Sequence, residues 1–430
     1  MFNFSFFCDY ARAHRAFGVL VCSAWLSSHA LAQTESQPPV PAPQYAPTLR
    51  QALDAAWQLS PSMRAEGNRR SEMAAKEKAA TSWISGEPVA GIAHRTDGLN
   101  RNEGFREYEA GLELPLWNPG VRAAAQADVS AQRLGFDGQF QLSKLKLAGE
   151  LRTLSAGIAT ARVELDLNKR KLSEATALTQ DLSRRVKAGE NARVDSLQSQ
   201  VLEQQAQAAI ALAESQLVRL QSQWRSLTGM SSVAPPDEPL ASALSGQSDA
   251  VTLSADHPAL RYAQARVSSA QAKLALAAAD KRDPMSVGLG LARERTNFAG
   301  ANDTKLRIAL RIPLGGDNRN APRQAAAAAE LDTAQADLDA AQRQLPAEVA
   351  AANADLRAAR ATQTAARERV RLSTEVQTLI TKSWRLGDSD LPTRLRADNE
   401  QFEASLSFAK ASIDVQRGIA NLNQAHGLLP

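Results

Sequence analysis

Apolar residues recur every seven positions through two long stretches of the chain. The first stretch follows Pro119, and its repeating positions are Leu151, Ile158, Leu165, Leu172 and Val186, with Thr179 as a polar exception. The second carries Leu331, Leu338 and Leu345, shifts by four residues at Pro346, and continues with Val349 and Leu356. A seven-residue apolar repeat is typical of a coiled-coil seam. The first stretch therefore predicts a helix to about Lys187, and its roughly 65 residues would span about 100 Å.

A short glycine-containing turn follows each long helix. The turns occupy residues 188–193 and 386–391, and further helical segments follow at 194–228 and 391–425. Glycine commonly ends a helix because it adopts positive φ without strain. Each stretch therefore predicts a long αα-hairpin, with Gly189 at the tip of the first and Gly387 at the tip of the second.

Two shorter segments alternate apolar and polar residues with a period of two. In 304–314 the apolar positions are Leu306, Ile308, Leu310, Ile312 and Leu314. In 105–116 they are Tyr108, Ala110, Leu112, Leu114 and Leu116. Segments 89–96 and 285–295 are expected to pair with these strands.

Strands of this length with one apolar and one charged face match the dimensions of a transmembrane barrel. On this interpretation the lumen-facing residues are Glu107, Glu109, Glu113, Arg307 and Arg311. Soluble hairpins packed on the helices would show the same alternation. Four strands cannot close around a lumen, so the barrel interpretation requires several chains.

The chain contains an internal duplication. Leu114-Pro115-Leu116-Trp117 recurs 198 residues later as Ile312-Pro313-Leu314-Gly315, and Gly189 and Gly387 are separated by the same offset. The predicted organisation is a signal peptide at 1–32, a Pro-rich linker at 33–47, a first repeat at 48–230, a linker at 231–255 and a second repeat at 256–428. The fold class is mainly α with a β-barrel contribution.

The first 32 residues resemble a secretory signal peptide. Arg12 and Arg15 precede an apolar run at 16–26, and Ala30-Leu31-Ala32 gives a small-x-small cleavage pattern. Lipid attachment at Cys22 stays an alternative, although Val21 stands where a lipoprotein signal needs a small residue. Cleavage after Ala32 would remove both cysteines and leave 48 basic against 45 acidic residues. This near-neutral balance gives no reason to expect nucleic acid as a partner.

The chain shows no constellation typical of catalysis, cofactor binding or metal binding. Outside the signal segment its histidines are His94, His257 and His426, which are far apart in sequence. Neither His-x-x-Glu-His, Cys-x-x-Cys nor a phosphate-binding loop occurs. We therefore expect neither an enzyme nor a protein with a resident cofactor or metal.

The two tandem units, each with a long αα-hairpin and a glycine at its tip, resemble the TolC family of outer-membrane efflux channels. The resemblance covers about 48–428. Two segments, Leu114-Pro115-Leu116-Trp117-Asn118-Pro119-Gly120 and Arg385-Leu386-Gly387-Asp388-Ser389-Asp390-Leu391-Pro392, look like the CzcC-type branch that serves heavy-metal export pumps. The resemblance implies a homotrimer with one shared twelve-stranded barrel in outer-membrane lipid and a periplasmic α-helical tunnel. It also implies a periplasmic adaptor and a proton-driven inner-membrane pump as partners.

The resemblance assigns roles to residues at the tips. Gly189 and Gly387 match the adaptor contact, although helix reversal alone would explain the glycines, and we expect Leu386 and Leu391 beside them to be its apolar contacts. Asp195 and Trp384 occupy the positions of the family's closed-gate carboxylate and aromatic residue. An indole offers only an N–H donor where the usual partner is a phenol, and a solvated Asp195 that caps its helix is an alternative. The family's acidic rings fall here on Thr393 and Arg396, so a carboxylate ring is not expected.

The resulting functional hypothesis is a passive outer-membrane exit duct for heavy-metal cations delivered by a resistance-nodulation-division pump, with most of the chain in the periplasm. A periplasmic adaptor or scaffold protein is one alternative, because adaptors also carry long αα-hairpins. A TolC-type duct for drugs or secreted proteins is another.

Overall fold

A computed structural model describes residues 46–100, 102–241, 255–315 and 317–430. The predicted signal peptide, the lipidation alternative at Cys22, nearly all of the Pro-rich linker and much of the inter-repeat linker lie outside the described residues. The described chain contains helices α1 Leu49–Leu59, α2 Pro61–Thr81, α3 Val121–Lys187, α4 Arg193–Thr228, α5 Pro258–Ala279, α6 Asp317–Leu386 and α7 Leu391–Ala425. The predicted end of the first long helix at Lys187 is confirmed.

Local signals explain where the shorter helices begin. Thr48 and Gln51 form a reciprocal capping box at the start of α1. Ser60 caps α2 by accepting from the Met63 amide at 3.2 Å, and Pro61 occupies the first turn, where its missing N–H removes no helical bond. In the second repeat His257 and Pro258 take the matching positions at the start of α5. Helices α2 and α5 therefore both begin at a side-chain cap followed by proline.

The two long hairpins are α3 with α4 and α6 with α7, and α5 packs between α3 and α6. Helix α6 continues through Pro322 and Pro346. Pro346 coincides with the four-residue shift in the apolar repeat, so the seam changes register there without ending the helix. None of the helices in the described ranges is both long and apolar enough to cross a membrane.

Strands β1 Val89–Thr96, β2 Arg106–Leu116, β3 Met285–Arg295 and β4 Asp303–Arg311 form one antiparallel sheet in chain order. Strand β4 ends three residues before the predicted end at Leu314, because pairing with β3 stops at Ser286 opposite Arg311. Pro313 follows soon afterwards and cannot donate to a ladder. The β2–β3 pairing joins the two repeats, while β1 and β4 are the free edges within the described chain.

A buried polar cluster fastens the two repeats at the base of the hairpins. Arg152 of α3 donates from Nε and Nη2 to Glu238 at 2.8 and 2.6 Å, and from Nη1 to Gln424 at the end of α7. Asn423 donates to the Glu238 carboxylate at 2.9 Å and to the Pro239 carbonyl at 3.0 Å. We call Arg152, Glu238, Asn423 and Gln424 the clasp. Its hydrogen bonds connect the first repeat, the inter-repeat linker and the last helix.

Candidate channel wall and hairpin tips

The strand register separates the sheet into an apolar face and a polar face. The apolar face carries mainly large aliphatic residues, including Ile92, Leu112, Leu289, Leu291, Leu306, Ile308 and Leu310. The polar face combines small residues with charges. Its charged residues are Arg95, Glu107, Glu109, Glu113, Glu294, Asp303, Lys305, Arg307 and Arg311.

The two faces of the sheet also differ in exposure. From Arg106 to Glu113 the side chains of β2 alternate between exposed on the apolar face and half-buried on the polar face. A hollow of about 330 Å³ lies over Gly91, Gly111 and Gly290 on the polar face, and Glu109 and Arg307 are among its lining residues. Charged residues therefore border this hollow, and the aliphatic residues cover the opposite face of the sheet.

Ion pairs on the polar face bridge the two repeats. Arg307 of β4 pairs with Glu109 of β2, and Arg311 pairs with Glu113 at 3.2 Å. Strand β3 lies between these partners, and its polar face presents Gly290 and other small residues. Because these residues fill little space, the arginines can reach across β3. The third expected acid, Glu107, pairs instead with Arg95 of β1 at 3.0 Å.

The tip glycines adopt the positive φ that the sequence predicts. Gly189 has φ of 80° and Gly387 has φ of 86°. A Cβ at either position would meet no atom within 4 Å, so both turns present open backbone. Leu386 is 68% exposed beside Gly387.

Leu391 requires a correction. Leu391 was expected to contact the adaptor at the tip. In the structure it is 4% exposed and packs with Leu178, Leu182 and Trp384. As the first residue of α7 it points into the seam between the hairpins, where apolar burial is favourable. It therefore does not present a surface to a partner in this conformation.

The structure does not bring the two gate candidates together. The Asp195 carboxylate accepts a hydrogen bond from the side-chain Nδ2 of Asn191 at 3.0 Å. Trp384 lies in the apolar cluster with Leu391, and its indole N–H makes no hydrogen bond to Asp195 in the described chain.

Two guanidinium groups cover the Trp384 ring instead. Arg185 of α3 lies 4.5 Å from the ring centroid and Arg394 of α7 lies 4.1 Å from it. Burial lowers the pKa of Arg394, and an aromatic face stabilises a partly desolvated cation. This stack joins three helices just above the tips. Sequence patterns alone did not predict this stack, although basic residues close to each tip glycine were an available signal.

The histidines serve local structure. His257 is buried and accepts from the Ala259 amide through Nδ1 at 3.1 Å, and burial lowers its pKa. Burial also lowers the pKa of His426. His94 stacks on Tyr108 with ring centroids 4.4 Å apart. Among the described residues no three His, Cys, Asp or Glu side chains are grouped so as to hold a metal ion.

Comparison with known proteins identifies this architecture. The sequence of residues 251–428 matches the family described as outer membrane efflux protein. This region contains the second repeat, and the first repeat shares its internal pattern. No curated protein sequence matches the chain significantly.

Solved structures extend the fold of outer membrane efflux proteins to nearly the whole chain. VceC from Vibrio cholerae matches with a TM-score of 0.70 and 14% identity, covering 89% of this chain and 96% of that one. The outer-membrane channel OprN matches with a TM-score of 0.72 and 19% identity, covering 89% and 90%. CmeC from Campylobacter jejuni matches with a TM-score of 0.72 and 12% identity, covering 88% and 85%. At these identities the matches show the TolC-type fold.

Proposed function

We propose that three copies of the chain form an outer-membrane exit duct. The observation that carries this proposal is the open four-stranded sheet with an exposed aliphatic face and two free edges. An isolated sheet of this kind would expose unpaired backbone groups and apolar surface to water. Pairing β4 of one copy with β1 of the next would satisfy those edges, and three copies would supply twelve strands. The aliphatic face would then contact lipid, and Glu107, Glu109, Glu113, Arg307 and Arg311 would line the lumen.

The helical hairpins also support assembly with further copies. On α4 the exposed apolar residues Val194, Leu197 and Val201 follow the three-four spacing of a coiled-coil seam. On α6 the exposed Leu372, Val376 and Leu379 follow the same spacing. Neither stripe is covered by the described chain. We propose that α4 of one copy packs against α6 of the next and closes a helical tunnel.

The tips are proposed to dock a periplasmic adaptor. They lie at the far end of helices about 100 Å long, and their open glycine backbones let a partner approach closely. A proton-driven inner-membrane pump would deliver substrate through the adaptor.

We propose heavy-metal cations as the substrates, because two segments of the chain resemble the CzcC-type branch. In the first motif, Asn118 donates to the carbonyls of Arg282 and Asp283, each at 3.0 Å. This part of the motif therefore secures the junction between strands and helices, and substrate selection is assigned to the pump. A duct for drugs or secreted proteins would share the same architecture, so the adaptor and pump decide between these substrates.

Fractionation combined with bilayer recording tests the duct proposal. The full chain should be recovered in the outer membrane as heat-modifiable trimers, and the purified trimers should form ion-conducting channels in planar bilayers. A soluble or inner-membrane monomer without conductance would support the adaptor or scaffold alternative. Co-purification with an adaptor, followed by metal-tolerance assays of cells lacking the chain, would test the proposed substrate.

A further inference from the structure

Within the part of the chain that the structure describes, charged side chains are ion-paired on one face of the sheet and lack an ion-pair partner on the other. On the polar face every charged side chain of the four strands has an oppositely charged partner, through the pairs of Arg95, Lys305, Arg307 and Arg311. On the apolar face the register places only three charged residues, Arg106, Arg293 and Arg295, and no acid. None of the ion pairs among the described residues includes these three arginines.

The three arginines are concentrated at the loop end of the sheet. Arg106 of β2 is the direct partner of Arg295 of β3, and Arg293 lies one row lower, opposite Tyr108. Arg106 and Arg293 are exposed. Arg295 donates from Nε to the Gly104 carbonyl at 3.3 Å and stacks over Phe298. Like charges directly opposite on neighbouring strands are destabilising, so this arrangement calls for an anion supplied from outside the chain.

The aliphatic band lies directly below the arginines. Leu291 and Leu289 precede Arg293 on the same face of β3, and strand residues on one face are about 6.6 Å apart. Arginines that border an apolar band can place their stems along it and their guanidinium groups in the polar layer above. A planar guanidinium also matches the oxygens of a phosphate group in a bidentate manner.

We propose that Arg106, Arg293 and Arg295 form a docking surface for the phosphate groups of lipid headgroups in the leaflet next to the β1–β2 and β3–β4 loops. This inference rests on the proposed membrane location of the sheet. The occupant follows from charge complementarity and from the aliphatic band, which together fit an amphipathic anion. Three copies would present nine arginines around the outside of one barrel.

Lipid binding by the purified full-length chain in neutral detergent tests the proposal. Diphosphorylated lipid A and its monophosphorylated counterpart are the probes, and retained lipid is quantified after gel filtration. The wild type should bind the diphosphorylated lipid more tightly. Arg106→Gln/Arg293→Gln/Arg295→Gln should weaken its binding by about 100-fold, since each basic residue at an anionic surface contributes roughly fivefold. The single variants Arg106→Gln and Arg293→Gln should each weaken it by about fivefold.

A matched control removes the same charge from the other face. Arg95→Gln/Lys305→Gln/Arg307→Gln also loses three positive charges but should retain wild-type lipid affinity. Equal losses in the two triple variants, or equal binding of the two lipids by the wild type, would overturn the proposal. Displacement of the lipid by inorganic phosphate at the same phosphate concentration would assign the arginines to free anions instead.

The single variants keep the test decisive if the triple variant does not assemble.

Bilayer recording separates this inference from the proposed function. Conducting wild-type trimers without a preference for phosphorylated lipid would overturn the docking surface alone. Absence of both trimers and conductance would count against the duct itself.

Discussion

Removing Arg152 should destabilise the helical base more than removing any exposed cation. The Arg152 side chain is 2% exposed and that of Glu238 is 9% exposed. Arg152→Met deletes two charge-assisted hydrogen bonds to Glu238 and one bond to Gln424. At about 1.5 to 3 kcal/mol for each bond to a charged group, the three lost bonds contribute more than about 4 kcal/mol. The variant also avoids the free-energy cost of burying the arginine charge, which offsets part of this loss. We expect a net loss of about 3 to 5 kcal/mol, the usual cost of leaving one buried charge without its partner.

The assay is urea unfolding of the full chain, followed by helical circular dichroism. Arg369→Met is the matched control, because Arg369 pairs with Glu400 at 2.7 Å while both side chains are about half exposed. That variant should lose no more than about 1 kcal/mol. Arg152→Met/Glu238→Gln should recover most of the loss, since the substituted glutamine side chain carries no charge yet still accepts from Asn423. Equal unfolding midpoints for the two single variants, or a double variant as unstable as Arg152→Met, would show that the buried Arg152–Glu238 pair does not stabilise the helical base.

Three further predictions concern the sheet and the tips. Leu310→Arg should reduce trimer yield far more than Arg311→Leu, because an arginine on a lipid-facing strand costs about 2 to 4 kcal/mol at mid-bilayer; equal yields would contradict the assigned faces. Gly387→Trp should leave trimers in the outer membrane but abolish efflux, because a bulky residue strains positive φ and blocks the tip; normal export at wild-type expression would exclude a tip contact. Trp384→Ala should raise single-channel conductance because it removes the ring on which Arg185 and Arg394 stack, whereas Asp195→Ala should leave conductance unchanged. The reverse result would support a gate that depends on the Asp195 carboxylate.

Periodicity predicted the elements well because it reports burial along a single element. The seven-residue repeat located α3, and the expected partner strand at 285–295 matched β3 from Met285 to Arg295. The end of β4 was wrong because alternation continues through Ile312 and Leu314, whereas a strand also needs a partner. The pairing between β4 and β3 ends where Arg311 lies opposite Ser286. Apolar alternation alone contains no information about the partner's length.

Contacts between distant segments could not be predicted in this way. The clasp joins Arg152, Glu238 and Gln424, which belong to a helix, a linker and the end of the chain. No periodic signal relates these positions. The gate candidates illustrate the same limit, since the resemblance to the TolC family implied that they pair. The fold instead directs Trp384 into the seam and Asp195 toward Asn191.

Disulfide cross-linking between the free edges of the sheet tests the shared barrel most directly. Cysteines are introduced in pairs, one along β1 and one along β4, after replacement of Cys8 and Cys22, the cysteines of the sequence. Within one chain β1 and β4 are separated by β2 and β3, a distance of about 14 Å. This exceeds the Cα separation of about 7 Å that a disulfide tolerates. The account predicts that oxidised outer membranes contain covalent dimers and trimers but no larger species, and only when both cysteines are present. Chains that remain monomeric at every tested pair of positions would contradict a barrel shared by three copies.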